Sequence, residues 1–154
     1  MGGEAKKTTF QLVLIKPTHY DDDGYPITWL RSHIPSNTLA ALYGLGEDCR
    51  QRAIFGPEVD IVIKPFDETN TRVRPEKIAA SIAREGGKAL ICLVGVQTNQ
   101  FPRAVDLALA QQLSADAVQG VGVPPLIARL AVERDAFPVV PLRLPVIAHA
   151  QRQR

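Results

Sequence analysis

PEKIAASIAREGGKALICLVGV, residues 75–96, reads as a helix running into a buried strand. Pro75 suits a first helical position, where its missing N–H would have no intrahelical partner in any case. Ile78 and Ile82 stand four apart and so share one face of the helix. Gly86 and Gly87 then supply the backbone freedom that ends it. Residues 89–96 are almost all apolar, as a short strand covered on both faces should be.

Two similar runs precede this unit. FQLVLI at residues 10–15 is followed by Pro17, and VDIVI occupies residues 59–63. Between them Ser36 or Asn37 can cap a helix with Leu39, Leu42 and Tyr43 on one face, and Gly44 and Gly46 are expected to weaken its end. After the third strand, a helix opening near residues 100–102 carries Ala104, Val105, Ala108 and Leu109 on an inward stripe, with Thr98 or Asn99 as its cap. Alternation of this kind predicts parallel strands joined by right-handed helical crossovers, with every strand's carboxyl end on one rim. A fourth strand over 117–123, a helix over 124–134 and a last strand over 139–142 complete the expectation. The fold class is therefore α/β, a Rossmann-like (flavodoxin-like) three-layer sandwich around a parallel sheet of about five strands. Residues 1–9 are expected to be flexible, 10–142 to form the domain and 143–154 to be a tail.

A chain of 154 residues suits one domain. Its formal charge of +2 is too small to argue for a nucleic-acid or membrane partner, and neither is expected. The opening residues lack a secretory h-region and no apolar run spans a bilayer, so the expected location is cytoplasmic. Cys49 and Cys92 have no metal-type spacing and read as reduced thiols.

Ligands of open α/β sheets bind outside the carboxyl rim, which here comprises residues 16–35, 64–74 and 97–102. The first loop, of about 20 residues, exceeds the usual βα length. Its Tyr20, Tyr25 and Trp29 either cover a ligand as a lid or pack the loop onto the core. His19 with Asp21, Asp22 and Asp23 offers hard-metal ligands, but the spacing is not that of an EF-hand and a run of acids is ordinarily solvated, so no metal site is expected. No catalytic residue is expected either: Cys92 sits in an apolar strand and Cys49 has no nearby histidine. Asp67 and Glu68 follow the second strand where a ribose-binding acid would stand, without the glycine fingerprint that dinucleotide sites need. Arg72, Arg74 and Lys77 form a small basic patch that either meets a phosphate or carboxylate or is simply solvated.

Three stretches, LIKPTHYDDDGYP at 14–26, IPSNTLAALYGL at 34–45 and VGVQTNQFPRAVDLA at 94–108, together resemble the cobalamin-binding-like N-terminal domain of radical SAM proteins over residues 10–110. The resemblance implies a corrinoid held against the rim by Pro17, Thr18, His19, Gln97, Thr98 and Asn99, and a partner radical SAM barrel in cis or in trans. A threonine hydroxyl and free N–H groups at a helix start suit amide and phosphate oxygens. Cobalamin mutases coordinate cobalt through Asp-x-His-x-x-Gly, whereas here Gly24 follows His19 by five positions. The Cys-x3-Cys-x2-Cys motif is absent, so no iron–sulfur cluster is expected in this chain. Beyond Ala110 the family's Gly-Gly loop is matched only by Gly120 and Gly122, as expected of a truncated or rearranged copy of a longer protein. The alternative is an interaction or structural domain of the same fold that binds no cofactor. A receiver-like signalling module ranks behind both, because Lys16-Pro17 and Val96-Gln97 occupy the positions of its acids.

Overall fold

The structure, a computed structural model, describes residues 7–30, 36–119 and 127–128. Strand β1 (Thr8–Lys16) is followed by helix α1 (Asn37–Gln51), β2 (Val59–Asp67), α2 (Pro75–Arg84), β3 (Ala89–Leu93), a 3-10 turn (Thr98–Gln100), α3 (Phe101–Gln119) and a two-residue strand β4 (Ile127–Ala128). The sheet order is β2-β1-β3-β4, and all pairs are parallel. The three apolar runs are thus the three full strands, and the expected alternation with helices holds. The described sheet has these three and the short β4 in place of five, and the last expected strand, 139–142, lies outside the described residues.

Parallel register assigns the two faces. Gln11, Val13 and Ile15 of β1 align with Val62, Lys64 and Phe66 on one side and with Ala89, Ile91 and Leu93 on the other. On this face, Val13, Ile15, Ile91 and Leu93 pack with Ile78 and Ile82 of α2 and Ala104 and Leu107 of α3 in one buried cluster. Helix α1 covers the opposite face. Gly46 makes that approach feasible: a Cβ there would lie 3.0 Å from Ile63 Cδ1 and 3.1 Å from Leu12 Cδ2. Helices on both faces of a parallel sheet give the three-layer, Rossmann-like arrangement.

Local chemistry explains most element ends. The Ser36 side chain accepts from the Leu39 N–H at 3.2 Å and caps α1. Pro75 is the first residue of α2, and Gly86 and Gly87 follow its end at φ 104° and 75°. Four expectations are corrected. Gly44 and Gly46 do not end α1, which runs on to Gln51, because Gly46 serves close packing on the sheet. Residues 94–96 lie beyond β3, which ends at Leu93. Residues 117–119 are the last turn of α3 and not the start of a strand. Residues 127–128, expected in a helix, pair with Leu90 and Ile91 as β4, so edge pairing prevails there over helical pattern.

The buried stripe of α3 runs through Ala104, Leu107, Gln111 and Ala115, whereas Leu109, expected inward, is 51% exposed; Gln111 is the one polar residue of that stripe. Gln111 is 1% exposed, and neither its amide nitrogen nor its oxygen has a hydrogen-bond partner among the described residues. A buried amide without partners carries its full desolvation cost. Gln111→Met, which keeps the volume and removes both polar atoms, should therefore stabilise the domain by about 1–2 kcal/mol. The reading is a higher urea midpoint at unchanged slope, and a lower midpoint refutes it.

Candidate functional site

The strand order fixes where the carboxyl rim opens. From β1 the chain passes through α1 to β2 on one side, and from β3 through α3 to β4 on the other. The crevice between the ends of β1 and β3 is thus the topological switch point, the general ligand position of open α/β sheets. The segments after these two strands border it, and they contain the six expected contact residues.

One side chain ties the two segments together. The Gln100 amide oxygen accepts from the Gln97 N–H at 3.0 Å, and its Nε2 donates to the Pro17 carbonyl at 3.0 Å. Gln100 itself is buried. Gln97, Thr98 and Asn99 are exposed above it. The expected capping role of Thr98 or Asn99 is corrected: Gln97 is the N-cap of the 3-10 turn, its N–H donating to the Gln100 side chain and its carbonyl accepting from the Gln100 N–H at 3.0 Å. Gly95, at φ 62°, turns the chain out of β3, and a Cβ on it would lie 3.7 Å from the Thr38 side chain. The first turn of α1 therefore stands beside this loop.

Residues 17–19 are placed differently. Pro17 and Thr18 are buried, Thr18 at 1% exposure, while His19 is half-buried. The Thr18 hydroxyl donates to the Ile27 carbonyl at 2.7 Å, and its N–H donates to Glu68 Oε2 at 3.2 Å. Of the six residues, His19, Gln97, Thr98 and Asn99 retain surface, whereas the side chains of Pro17 and Thr18 are committed to the interior.

Glu68 is the main residue that sequence reasoning passed over in this role. It is 2% exposed, and its carboxylate also accepts from Arg103 Nε at 3.1 Å and from Arg103 Nη2. Arg103 Nη1 approaches the Tyr20 hydroxyl at 3.4 Å, and its guanidinium lies 5.8 Å from the Tyr20 ring centroid. Hydrogen bonding to Glu68 holds the Arg103 guanidinium well above its ordinary pKa. The Tyr20 hydroxyl meets the Asp106 carboxylate, and its pKa is raised by burial and by that bond. β2, α3 and the first loop are thereby joined around a single carboxylate. The sequence signal was there, since Glu68 directly follows an apolar strand, but the partner 35 residues away was not.

The loop that carries Tyr20 is fastened at further points. The Ile27 N–H donates to the His19 carbonyl at 3.0 Å, and the Trp29 N–H donates to the Thr69 carbonyl at 2.7 Å. Asp21 closes the turn between, its Oδ1 accepting from the Tyr25 N–H at 2.7 Å and the Asp23 N–H at 3.1 Å. Residues 17–30 therefore form a fastened hairpin-like loop. Tyr25 and Trp29 point to solvent, 70% and 63% exposed, while Tyr20 packs on Arg103.

Among the described residues, no group of three His, Cys, Asp or Glu side chains is disposed to hold a metal ion. Cys49 and Cys92 are unpaired, and burial pushes the Cys92 thiol pKa up. No described helix is long and apolar enough to cross a membrane. Comparisons with protein-family models, curated proteins and solved structures found no match. What stands plainly is a small α/β domain of generic Rossmann-like form with a polar mouth at its switch point.

Proposed function

We propose that this chain is a cofactor-binding module whose ligand rests over the mouth between β1 and β3, and that the ligand is a corrinoid presented to a separate radical SAM barrel. One observation carries this reading: Gln97, Thr98 and Asn99 stand exposed at the switch point, while the polar groups beneath them are paired internally. Amide and hydroxyl side chains both donate and accept, which suits the amide-rich edge and nucleotide phosphate of a corrinoid. The barrel would be supplied in cis or in trans, since two cysteines cannot hold an iron–sulfur cluster.

Titration with hydroxocobalamin tests the reading. The expected result is a saturable change in the visible spectrum and retention of the corrinoid through gel filtration. Thr98→Ala should weaken binding about five-fold, the worth of one hydrogen bond of ~1 kcal/mol, and leave the melting temperature unchanged. Absence of both spectral change and retention removes the corrinoid. It would favour a second reading, an interaction domain without cofactor, which the self-paired Thr18, Glu68, Gln100 and Arg103 already support.

A further inference from the structure

A second concavity lies away from the mouth, between the edge-side strand β2 and helix α2. It is a half-open hollow of about 300 Å³, at the lower end of the range for small-molecule sites. Its polar floor is closed. Lys64 Nζ donates to Gln11 Oε1 at 2.9 Å, to Ser81 Oγ at 2.9 Å and to Glu85 Oε1 at 3.1 Å, which uses all its protons and pairs its charge. Phe66 and Ile78 provide apolar wall.

The lining also includes Arg72, Arg74 and Lys77, none of which forms an ion pair among the described residues, with Glu76 the one acid in the first turn of α2. Every ion pair among the described residues engages other cations. Three like charges around one hollow repel each other until an anion lies between them, and arginine forks match the oxygens of a phosphate. The start of α2 adds to the same field, since Arg74 is its N-cap and provides no side-chain cap to the first turn. A monocarboxylate would neutralise only one of the three cations, whereas a phosphomonoester dianion neutralises two and places its organic body against Phe66 and Ile78. The hollow is too small for a polymer, and the chain's net charge of +2 gives no wider basic face to bind one.

We propose that this hollow binds the phosphate of a small phosphomonoester with an apolar body. The test follows backbone amide NMR shifts of the whole chain during titration with phenyl phosphate, inorganic phosphate and phenol. Phenyl phosphate should saturate, with shifts confined to residues 64–85 and the neighbourhood of Gln11, and should bind more tightly than inorganic phosphate; phenol should shift nothing. The double variant Arg74→Glu, Lys77→Glu should weaken phenyl phosphate at least about ten-fold, the loss expected for removing charge-assisted contacts. Arg84→Glu, at the far end of the same helix, should leave it unchanged. If the double variant does not fold, Arg72→Gln reports on the same contacts and should weaken binding alone. Non-saturating shifts spread over all basic residues, or equal weakening by Arg84→Glu, overturn the proposal. Hydroxocobalamin binding at the mouth should be unaffected by these variants, so the two sites succeed or fail separately.

Discussion

Arg103→Met will lower the free energy of unfolding by about 3–5 kcal/mol, the usual consequence of removing one partner from a buried ion pair. Glu68 has 2% of its surface in water and takes its stabilisation from the guanidinium and the Thr18 N–H. With the guanidinium gone, the carboxylate keeps one amide and cannot recover its hydration without opening the rim. Arg103→Lys keeps the charge and loses the fork, so it should fall between the wild type and Arg103→Met. Glu68→Gln combined with Arg103→Met should be less damaging than Arg103→Met alone, because no charge is then left stranded. Urea denaturation of the variants measures all of this. A loss below about 1 kcal/mol for Arg103→Met would mean that the pair behaves as a surface contact.

Ile15→Ala should cost about 2–5 kcal/mol, and Ile15→Val about 0.5–1.5 kcal/mol. Ile15 is fully buried in the central strand, flanked in register by Phe66 and Leu93. Its carbonyl also accepts from the Val94 N–H at 2.7 Å, where β3 ends and the mouth begins. Domains commonly have about 5–15 kcal/mol of net stability, so the larger truncation removes a major share. Thermal unfolding followed by circular dichroism checks it, and equal midpoints for Ile15→Ala and the wild type would refute the assigned core.

The architecture was legible because it rests on short-range patterns. Apolar runs near 10, 60 and 90, with Pro75, Ser36 and the Gly86–Gly87 pair between them, specify elements through geometry that acts within a few residues. The rim was legible only in position. That Thr18 turns inward, that Gln100 spans two segments and that Glu68 meets Arg103 depend on pairings across 35 to 83 residues, which no local pattern records. Gly46 shows the same limit: a glycine in a helix reads as a weak point, and only the proximity of Leu12 and Ile63 reveals it as a seat for the sheet. The basic patch was visible in sequence, but its concavity and the prior commitment of Lys64 were not.

The central place of β1 has a consequence for how the molecule is made. β1 leaves the ribosome before the strands it pairs with, residues 59–67 and 89–93. At ~5–20 residues per second, it waits several seconds with both edges bare. Nascent chains of this protein therefore pass through a stage in which the apolar run of their central strand is open to any extended strand nearby, and a holdase bound there would act before the sheet has begun to close.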